Sequence, residues 1–452
     1  FQDTNKIQND IVGLLGAEHK NILVVGDDAQ SIYSFRAADI NNILDFPRAH
    51  PGTKVFKLEQ NYRSSKPILA LANNVISQNK KQFKKNLTTV LLEGRKPMLV
   101  ELSTPDEEAA FIVQKIFELC AQGVPYNQIA VLFRASHHSQ MLEMELVKRG
   151  YRYDYRGGLR FFERSHVKDV LAFLRAVHNP SDEIAWRRAL VLFPGIGPAS
   201  ADVIFKKMRS MSLGSGLLEN TGAKDGVKSS TTKSSAEIFQ DLKNILPTRA
   251  HLGISNFFEA WKKLESAPKT AHDLMDILIK GVYRDYLEEN HENANSRIAD
   301  IEQMAAYARS SKKDLGKFLA EASLQESFAS EQEKDDSSKD DRMVLSTIHQ
   351  SKGLEWDAVF IINLINGQFP NERALREDGG LEEERRLFYV AATRARKHLF
   401  LSHPIIAGGG YTLAEPSPFV QEVDHTLVER TLPGSSGMGG VGAGHGASGG
   451  VG

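Results

Sequence analysis

Short apolar runs alternate with helical patterns along most of this sequence, and this alternation restricts the possible folds more than any other feature. Each run is a few residues long and rich in β-branched side chains, as in strands buried inside a sheet. A helical pattern between successive strands favours parallel pairing. The chain is therefore predicted to be an α/β protein with parallel sheets, and the expected strands are residues 21–26, 97–102, 129–133, 343–348, 358–363 and 398–402.

Helical periodicity replaces the alternation from about residue 165 to residue 329. A stretch rich in Ser, Gly, Lys and Thr, 212–235, interrupts it and is predicted to be a flexible loop. The acidic run 331–341 is too charged to pack and is predicted to be a linker that returns the chain to the α/β fold. The helical block is therefore expected to be an all-helical insertion.

Composition excludes several classes of protein. The 452 residues allow two or three domains, and 41% hydrophobic with 25% charged residues is typical of globular proteins. The single cysteine, Cys120, leaves no intrachain disulfide or thiolate zinc site, which favours a reducing, intracellular setting. No apolar run is long enough to span a bilayer. Because the net charge is -1 at pH 7, any attraction for nucleic acid must come from local patches.

The first chemically informative stretch is residues 24–36 (VVGDDAQSIYSFR), an apolar run that ends in a polar turn. Polar groups after a parallel strand lie where α/β sheets bind ligands. The Gln30 amide is suited to contact a phosphate, and Phe35 with Arg36 to stack a base and bind the nucleic-acid backbone. A capped turn with one core aromatic explains the same residues equally well.

A second stretch, residues 58–65 (LEQNYRSS), contains an adjacent Tyr-Arg pair. The Tyr62 ring can stack on an adenine, and the Arg63 guanidinium can meet phosphate oxygens in a fork. An isolated pair of this kind is more often an ordinary surface pair. The stretch gains meaning only from its neighbours in the sequence.

Two further stretches lie near the other end of the chain. In residues 347–356 (TIHQSKGLEW), the Glu355 carboxylate can accept a hydrogen bond from a ribose hydroxyl, and Thr347 with His349 can face a DNA backbone. The Lys-Gly pair in the same stretch also suits a plain turn. In residues 382–395 (EEERRLFYVAATRA), the charges would mostly pair along a helix. Arg394, after a run of small residues, is the one suited to reach a transferring phosphoryl group.

In this order the four stretches resemble motifs III, IV, V and VI of the UvrD/PcrA/Rep family of superfamily 1A DNA helicases. Residues 1–5 (FQDTN) resemble the end of that family's motif II, DEFQDTN. The resemblance extends from residue 1 to about residue 432. It implies two RecA-like parallel-sheet domains, the first only partial here, with an inserted all-helical domain of the 2B type.

For ATP, the resemblance implies a shared slot between the two RecA-like domains. Gln30 would sense the γ-phosphate, Tyr62 would stack on adenine and Glu355 would bind the ribose. Arg63 and Arg394 would act as arginine fingers, a class of residue worth roughly 10³ to 10⁵ in rate. The catalytic set is therefore Gln30, Arg63 and Arg394, and all five residues are expected to contact the nucleotide.

For DNA, the resemblance implies that Phe35 stacks on single-stranded bases, with Tyr33, Arg36, Thr347 and His349 nearby. Base-aromatic stacking contributes about 1 to 3 kcal/mol per base whatever the sequence, which suits a motor that translocates along DNA without recognising its base sequence.

Two parts of the helical block also resemble the family. Residues 157–164 (GGLRFFER) resemble the start of its 2B domain, and residues 193–198 (FPGIGP) resemble its GIG-containing hairpin. Gly195 and Gly197 would let backbone N–H groups approach duplex phosphates. A helix-connecting turn without DNA contact is an equally good interpretation.

The domain boundaries that follow from these features divide the chain into five parts. They are 1–55 for the first RecA-like domain, 56–157 and 342–432 for the two parts of the second, 158–340 for the helical insertion, and 433–452 for a disordered glycine-rich tail.

The family's phosphate-binding loop, G-x-x-G-x-G-K-T, occurs nowhere in these residues, and neither do the motif II Asp and Glu that hold Mg²⁺. The binding of ATP and Mg²⁺ is therefore expected to need a preceding segment. The chain alone is not expected to hydrolyse ATP or to provide a metal ligand. Ala37 replaces a usual family glycine, which disfavours a positive φ there. Ser351 replaces a common alanine of similar size.

The sequence thus predicts a fragment of an ATP-dependent 3′-to-5′ helicase of DNA repair or replication restart, in a bacterial-type cytoplasm. Its expected partners are single-stranded DNA, single-strand/double-strand junctions and repair proteins, and no membrane. One alternative is a catalytically inactive DNA-binding or regulatory module. A second is the helicase part of an AddA/RecB-type helicase-nuclease.

Overall fold

The computed structural model describes residues 1–212, 235–310, 314–334, 342–406 and 413–431. The predicted flexible loop lies outside these ranges except at its two ends. The predicted tail 433–452 lies outside them entirely, so both expectations stay predictions. The division into five domain segments likewise stays a prediction in its boundaries.

The described residues contain one large parallel sheet. The strands are β1 (Gln60–Asn61), β2 (Thr88–Thr89), β3 (Met98–Leu102), β4 (Ile129–Phe133), β5 (Tyr153–Arg156), β6 (Met343–Thr347), β7 (Trp356–Ile361), β8 (Ala395–Pro404) and β9 (Glu429–Thr431). Strands β1 and β2 form a small parallel pair of their own. The other seven form one sheet in the order β5-β6-β4-β7-β8-β3-β9, and every neighbouring pair is parallel. The prediction of an α/β fold is confirmed.

The central strand β4 shows why its sequence reads as a continuous apolar run. All five of its residues are buried: Ile129, Val131 and Phe133 join one hydrophobic core, while Ala130 and Leu132 join the core on the opposite face. Successive side chains of a strand point to opposite faces, so a strand covered on both sides must be apolar throughout.

Helices cover both faces of this sheet and form the inserted block. They are α1 (Lys6–Gly16), α2 (Asn41–Leu44), α3 (Phe46–Ala49), α4 (Lys66–Ile76), α5 (Pro105–Ala121), α6 (Gln140–Lys148), α7 (Ser165–His178), α8 (Glu183–Leu190), α9 (Pro198–Ser212), α10 (Ser235–Ile245), α11 (His251–Ser266), α12 (Ala271–Ile279), α13 (Val282–Asn290), α14 (Ala294–Ser310), α15 (Leu315–Lys334), α16 (Ile348–Ser351), α17 (Glu372–Leu375), α18 (Gly380–Ala392) and α19 (Pro418–Gln421).

Helices α7 to α15 make up the insertion, and no strand occurs in the described residues between β5 and β6. Its centre is aromatic: the rings of Trp186 and Trp261 lie 4.4 Å apart, and that of Phe257 lies 5.7 Å from Trp261. This core continues without a break into the face of the sheet that carries Phe133. The insertion is therefore packed against the sheet domain through buried apolar side chains.

A buried group of charges also joins the insertion to the sheet domain. Arg164, just before α7, donates through Nη1 to Asp300 Oδ2 of α14 at 2.8 Å, and the ring of His166 contacts the same oxygen at 2.7 Å. Through Nη2, Arg164 also donates to the Tyr155 hydroxyl of β5 and to the Ser136 carbonyl, each at 3.3 Å. We call Arg164, His166 and Asp300 the junction cluster.

The expected strand at residues 21–26 is wrong. Leu23 and Val25 are 87% and 70% exposed, and the Val25 carbonyl accepts a hydrogen bond from the amino group of Phe1 rather than from a neighbouring strand. A strand is stable only beside a partner that takes up its backbone groups. No strand is present in the described range 1–55, so this part of the predicted first RecA-like domain consists of α1 to α3 and turns.

The predicted acidic linker 331–341 is wrong at its start, because α15 continues through Lys334. Residues 335–341 lie outside the described ranges. Among the described helices, none has both the length and the apolar character required to cross a bilayer.

Candidate nucleotide-binding and DNA-binding sites

Three residues predicted to contact the nucleotide meet at the amino ends of β7 and β8. Glu355 immediately precedes β7, and Arg394 immediately precedes β8. The backbone N–H of Trp356 donates to the carbonyl of Arg394 at 3.0 Å, so these two positions are neighbours across the strands. Arg63 follows β1 and forms an ion pair with Glu355 through its Nε. The structure thus brings Arg63, Glu355 and Arg394 together.

Arg394 is buried, with 1% of its surface exposed, and its guanidinium is satisfied by oxygens that carry no full charge. It donates to the carbonyls of Val390 at 3.0 Å and Leu354 at 3.1 Å, and to the Thr393 hydroxyl at 3.3 Å. Burial, together with the nearby charge of Arg63, lowers the pKa of Arg394 to about 10. It remains a cation at neutral pH, in surroundings that favour an incoming anion.

Gln30 lies at the end of the short 3₁₀ turn Asp28–Gln30, and this turn packs against α18, the helix that leads to Arg394. Its amide nitrogen donates to Asp27 Oδ2 at 2.6 Å. Asp27 in turn forms an ion pair with Lys85, and its charge is among those that favour ionised Arg394. The Gln30 side chain is therefore held within its own turn, close to the arginine that precedes β8.

Tyr62 is 76% exposed and borders a cavity of about 460 Å³. The other residues around this cavity are Arg63, Leu91, Pro125, Gln128, Asp357, Arg396 and Lys397. An exposed ring beside an arginine and above an open cavity can stack on a flat heterocycle. Of the five predicted nucleotide residues, Tyr62 and Arg63 border this cavity, whereas Gln30, Glu355 and Arg394 do not. The roles of all five stay predictions.

The predicted DNA contacts form a second cluster, around the 3₁₀ turn Ser34–Arg36. The Phe35 ring is 64% exposed and lies 5.3 Å from the His349 ring, nearly perpendicular to it. The Tyr33 hydroxyl donates to the His349 carbonyl at 3.0 Å. The Arg36 guanidinium lies 5.6 Å from the ring centres of both Tyr33 and Phe35. The structure brings Tyr33, Phe35, Arg36 and His349 into one aromatic and cationic surface.

His349 and Thr347 lie at the start of α16, directly after β6. Burial, with smaller contributions from Arg134 and Arg36, lowers the pKa of His349 to about 4. At neutral pH this imidazole is uncharged, so any contact that it makes to a phosphate is a hydrogen bond and not an ion pair. Thr347 packs next to Gly157, where a Cβ would lie 3.0 Å from its hydroxyl.

The two glycines of the predicted hairpin differ from each other. Gly195 has a φ of +73°, and a Cβ there would lie 2.0 Å from the carbonyl oxygen of Arg249. Gly197 has no atom within 4 Å of the corresponding position. Packing against the turn before α11 is therefore sufficient to explain Gly195, in agreement with the interpretation of this hairpin as a turn that connects helices. Gly197, in contrast, faces open space. Neither glycine is part of the Phe35 cluster.

Lys352, for which the sequence suggested no role beyond a possible plain turn, makes three contacts in the structure. Its ammonium group donates to Asp3 Oδ2 at 2.6 Å and to the Gln30 carbonyl at 2.7 Å, and it lies 4.9 Å from the Tyr33 ring centre. Lys352 therefore ties the motif V segment to both the first residues of the chain and the Gln30 turn. Its position within motif V was the available signal.

Ala37 adopts the conformation that its sequence context disfavours. Its φ is +63°, in the left-handed region, immediately after the turn that carries Phe35 and Arg36. An alanine there is strained by roughly 1 to 2 kcal/mol relative to glycine. The sequence predicted that Ala37 disfavours a positive φ, and the turn adopts a positive φ at this position nevertheless.

Comparison with known proteins gives a consistent result. Residues 56–404 match the family model described as UvrD-like helicase C-terminal domain, and residues 1–51 match the UvrD/REP helicase N-terminal domain. The ATP-dependent DNA helicase PcrA of Staphylococcus aureus (strain MRSA252) is 32% identical over 447 residues, which cover 95% of this chain and 58% of that protein. PcrA of Bacillus subtilis (strain 168) is 34% identical over 443 residues, with 95% and 57% coverage.

The chain thus spans less than two thirds of the length of these relatives. A solved structure described as the C-terminal domain of a possible DNA helicase from Lactobacillus plantarum covers 82% of this chain and 98% of its own, with a TM-score of 0.31 and 11% identity. That similarity is too low to support an argument. Because the C-terminal family model alone matches more than half of the residues, the chain belongs to the UvrD-like helicase family.

Proposed function

We propose that this chain is the larger part of an ATP-dependent DNA helicase that moves 3′ to 5′ along single-stranded DNA, in DNA repair or replication restart. The observation that carries the proposal is the meeting of Arg63, Glu355 and Arg394 at the amino ends of β7 and β8. These three residues are spread over more than three hundred positions of the sequence. Their convergence is what a nucleotide site shared between two parts of a motor requires.

In this proposal the chain supplies one wall of the nucleotide site. Tyr62 stacks on the adenine at the mouth of its cavity, and Glu355 accepts from the ribose. Arg63 pairs with Glu355 in the present structure, so it must exchange that carboxylate for a phosphate oxygen when the site fills. Arg394 needs no such exchange, because its present partners are a hydroxyl and carbonyl groups. Both guanidiniums then stabilise charge on the transferring phosphoryl group.

Mg²⁺ would accompany ATP, but the described residues do not form a site for it. No group of three His, Cys, Asp or Glu side chains within the described ranges is arranged to hold a metal ion. The nearest motif II carboxylate, Asp3, is already paired with Lys352. The expectation that this chain provides no metal ligand stays a prediction.

Single-stranded DNA is proposed to cross the surface formed by Tyr33, Phe35, Arg36 and His349. Phe35 supplies a stacking face that accepts any base, and Arg36 supplies a charge for the backbone. Thr347 lies close by at the end of β6. The proposed partners are single-strand/double-strand junctions and repair proteins, in the cytoplasm of a bacterial-type cell. Of the two hairpin glycines, Gly197 is the better placed to approach a duplex.

ATP hydrolysis provides the first test. We propose to fuse the amino-terminal segment of the Bacillus subtilis relative, up to the point where its similarity begins, ahead of residue 1. The fusion protein should show ATP hydrolysis stimulated by single-stranded DNA, and Arg394→Ala should reduce its rate by roughly 10³-fold or more. Arg376→Ala, which removes an arginine that is 81% exposed, is the matched control. Full activity in the Arg394 variant would exclude the finger role.

Single-stranded DNA binding tests the second half of the proposal on the chain as it is. Fluorescence anisotropy with labelled oligo(dT) should show that Phe35→Ala lowers the affinity by about 5-fold to 100-fold, from the loss of one stacked base. Phe117→Ala removes another exposed ring, on α5, and should leave affinity unchanged. Equal effects of the two variants would show that DNA does not bind at Phe35.

The second candidate is a DNA-binding or regulatory module that does not hydrolyse ATP. The observation that favours it is the absence of the G-x-x-G-x-G-K-T string from all 452 residues. It predicts wild-type DNA affinity together with no response to ATP, even in the fusion protein. The ATPase assay therefore distinguishes the two candidates.

A further inference from the structure

Helix α18 connects the two clusters described above. It begins at Gly380 and contacts the turn that carries Phe35 through Glu383, and it ends at Ala392, two residues before Arg394. With thirteen residues at 1.5 Å each, it spans about 20 Å. Ten of its residues are buried, so it is held firmly in the core between the sheet and α4.

The first turns of α18 hold the DNA-contact segment directly. The backbone N–H of Ser34 donates to Glu383 Oε1 at 3.1 Å. The Nε of Arg386 donates to the carbonyl of Ser31 at 2.8 Å. Glu383 and Arg386 therefore take one backbone group each, on either side of Tyr33, in the segment that presents Phe35.

This segment needs outside support because it has little structure of its own. It is a single 3₁₀ turn, Ser34–Arg36, without a side-chain cap at its start. It is followed by Ala37 with its strained φ of +63°. A turn this short is not stable by itself. Contacts from α18 and from His349, together with the Lys352 ammonium beside the Tyr33 ring, support the segment that carries Phe35.

We propose that Glu383 and Arg386 are positioning residues: they hold the segment that presents Phe35 against α18, the helix that leads to Arg394. Both act on DNA binding through the orientation of the Phe35 ring. The inference rests on the proposed function, because it takes Phe35 as the base-stacking residue.

Release of the segment has a predictable effect on affinity. If the Ser34 contact is lost, the turn populates other conformations, and the apparent affinity falls by the fraction that still presents Phe35 correctly. A solvent-exposed hydrogen bond of ordinary net strength changes that population by about 3-fold to 10-fold. Arg386 is only 7% exposed, so its replacement also endangers folding. Glu383 is partly exposed and is the better target.

The test measures oligo(dT) affinity of the 452-residue chain by anisotropy. Glu383→Ala should weaken binding by about 3-fold to 10-fold. Glu383→Gln keeps an accepting oxygen and should bind at least as tightly as the unmodified chain. Glu382→Ala is the matched control: it removes the same charge from the same helical turn, but its carboxylate accepts from the Lys80 backbone instead. Equal affinities for Glu383→Ala and Glu382→Ala would overturn the proposal.

A double-mutant cycle with Phe35→Ala separates positioning from general damage. If Glu383 acts through the ring, then Glu383→Ala should cause no further loss in the Phe35→Ala background. Independent, multiplying losses would overturn the positioning role while leaving the DNA site intact. No loss from Phe35→Ala alone would instead contradict the proposed DNA site itself, so the two failures are distinguishable.

Discussion

Removal of the Asp300 carboxylate tests whether the junction cluster holds the helical insertion on the sheet domain. Asp300, Arg164 and His166 have side-chain exposures of only 6%, 9% and 7%. Asp300→Ala leaves the Arg164 guanidinium buried without its ion-pair partner. Breaking a buried ion pair in this way costs about 3 to 5 kcal/mol. Because Tyr155 and Ser136 still accept from Arg164, we expect a loss near the lower limit, about 3 kcal/mol.

Tryptophan fluorescence during urea unfolding is a suitable assay. Trp186 and Trp261 report the insertion, whereas Trp356 lies in β7 of the sheet. The insertion should unfold at a lower urea concentration in Asp300→Ala. Asp276→Ala is the matched control, because Asp276 also pairs with an arginine, Arg309 at 3.0 Å, but both side chains are about one third exposed or more. Its expected loss is about 0 to 1 kcal/mol.

The pH dependence provides an independent check. Burial opposes ionisation of Asp300, but hydrogen bonds from His166 and the charge of Arg164 outweigh it and lower the pKa of the carboxyl below its usual 3.8. A lowered folded-state pKa gives stability that is present above that value and lost as the pH falls through the folded pKa. The gap between the unmodified chain and Asp300→Asn should therefore be constant from pH 5 to 8 and shrink below about pH 4. A loss below about 1 kcal/mol for Asp300→Ala at pH 7 would refute the reasoning.

Four further predictions follow from individual contacts. Ala37→Gly should raise stability by roughly 1 kcal/mol in thermal unfolding, because it relieves a positive φ, and Ala38→Gly should not. Gly195→Ala should destabilise the insertion, because the added Cβ would collide with the Arg249 carbonyl, whereas Gly197→Ala should leave stability unchanged. A loss of affinity for duplex DNA in Gly197→Ala alone would support a phosphate contact at Gly197. Burial raises the pKa of Glu108 to about 7, although hydrogen bonds from Ser402 and Asn363 act in the opposite direction. Ionisation of this carboxyl therefore makes the fold less stable as the pH rises from 4.5 to 7. Glu108→Gln should remove this pH dependence of the free energy of unfolding, on the order of 3 kcal/mol, as measured by unfolding at several pH values. Arg36→Ala should reduce the salt dependence of oligo(dT) binding by about one ion, while Phe35→Ala should leave the slope nearly unchanged; identical slopes in both would contradict their separate roles.

The parallel sheet was predictable because its central strands are buried on both faces. The run at 129–133 is apolar at every position, and the run at 343–348 is apolar except at Ser346 and Thr347; the structure places β4 and β6 there. The edge strands lacked that signal. β5 (Tyr153–Arg156) alternates aromatic and charged residues over four positions, and β9 has three residues that are mostly exposed. Neither is distinguishable from a loop by composition.

The run at 21–26 misled for the opposite reason. Its residues have the apolar, β-branched character of a buried strand, yet Leu23 and Val25 are exposed. Composition indicates which secondary structure a segment favours, but a strand also needs a neighbouring strand that pairs with its backbone N–H and C=O groups. The acidic segment 331–334 shows a similar limit, because helix α15 extends into residues whose charge suggested a linker.

The candidate site was predictable in its residues but not in its internal bonds. Motif order identified Arg63, Glu355 and Arg394, and the structure places them together. The pairing of Arg63 with Glu355 and the contacts of Lys352 with Asp3 and Gln30 depend on how distant segments approach each other. Such contacts follow from the packed fold and leave no periodic trace in the sequence.

The most direct test of the account is a crystal structure of the fusion protein with a non-hydrolysable ATP analogue and oligo(dT). The account predicts that the guanidiniums of Arg63 and Arg394 contact the γ-phosphate, that Tyr62 stacks on the adenine and that Glu355 has released Arg63. A nucleotide bound away from these side chains, with the Arg63 and Glu355 pair intact, would contradict it.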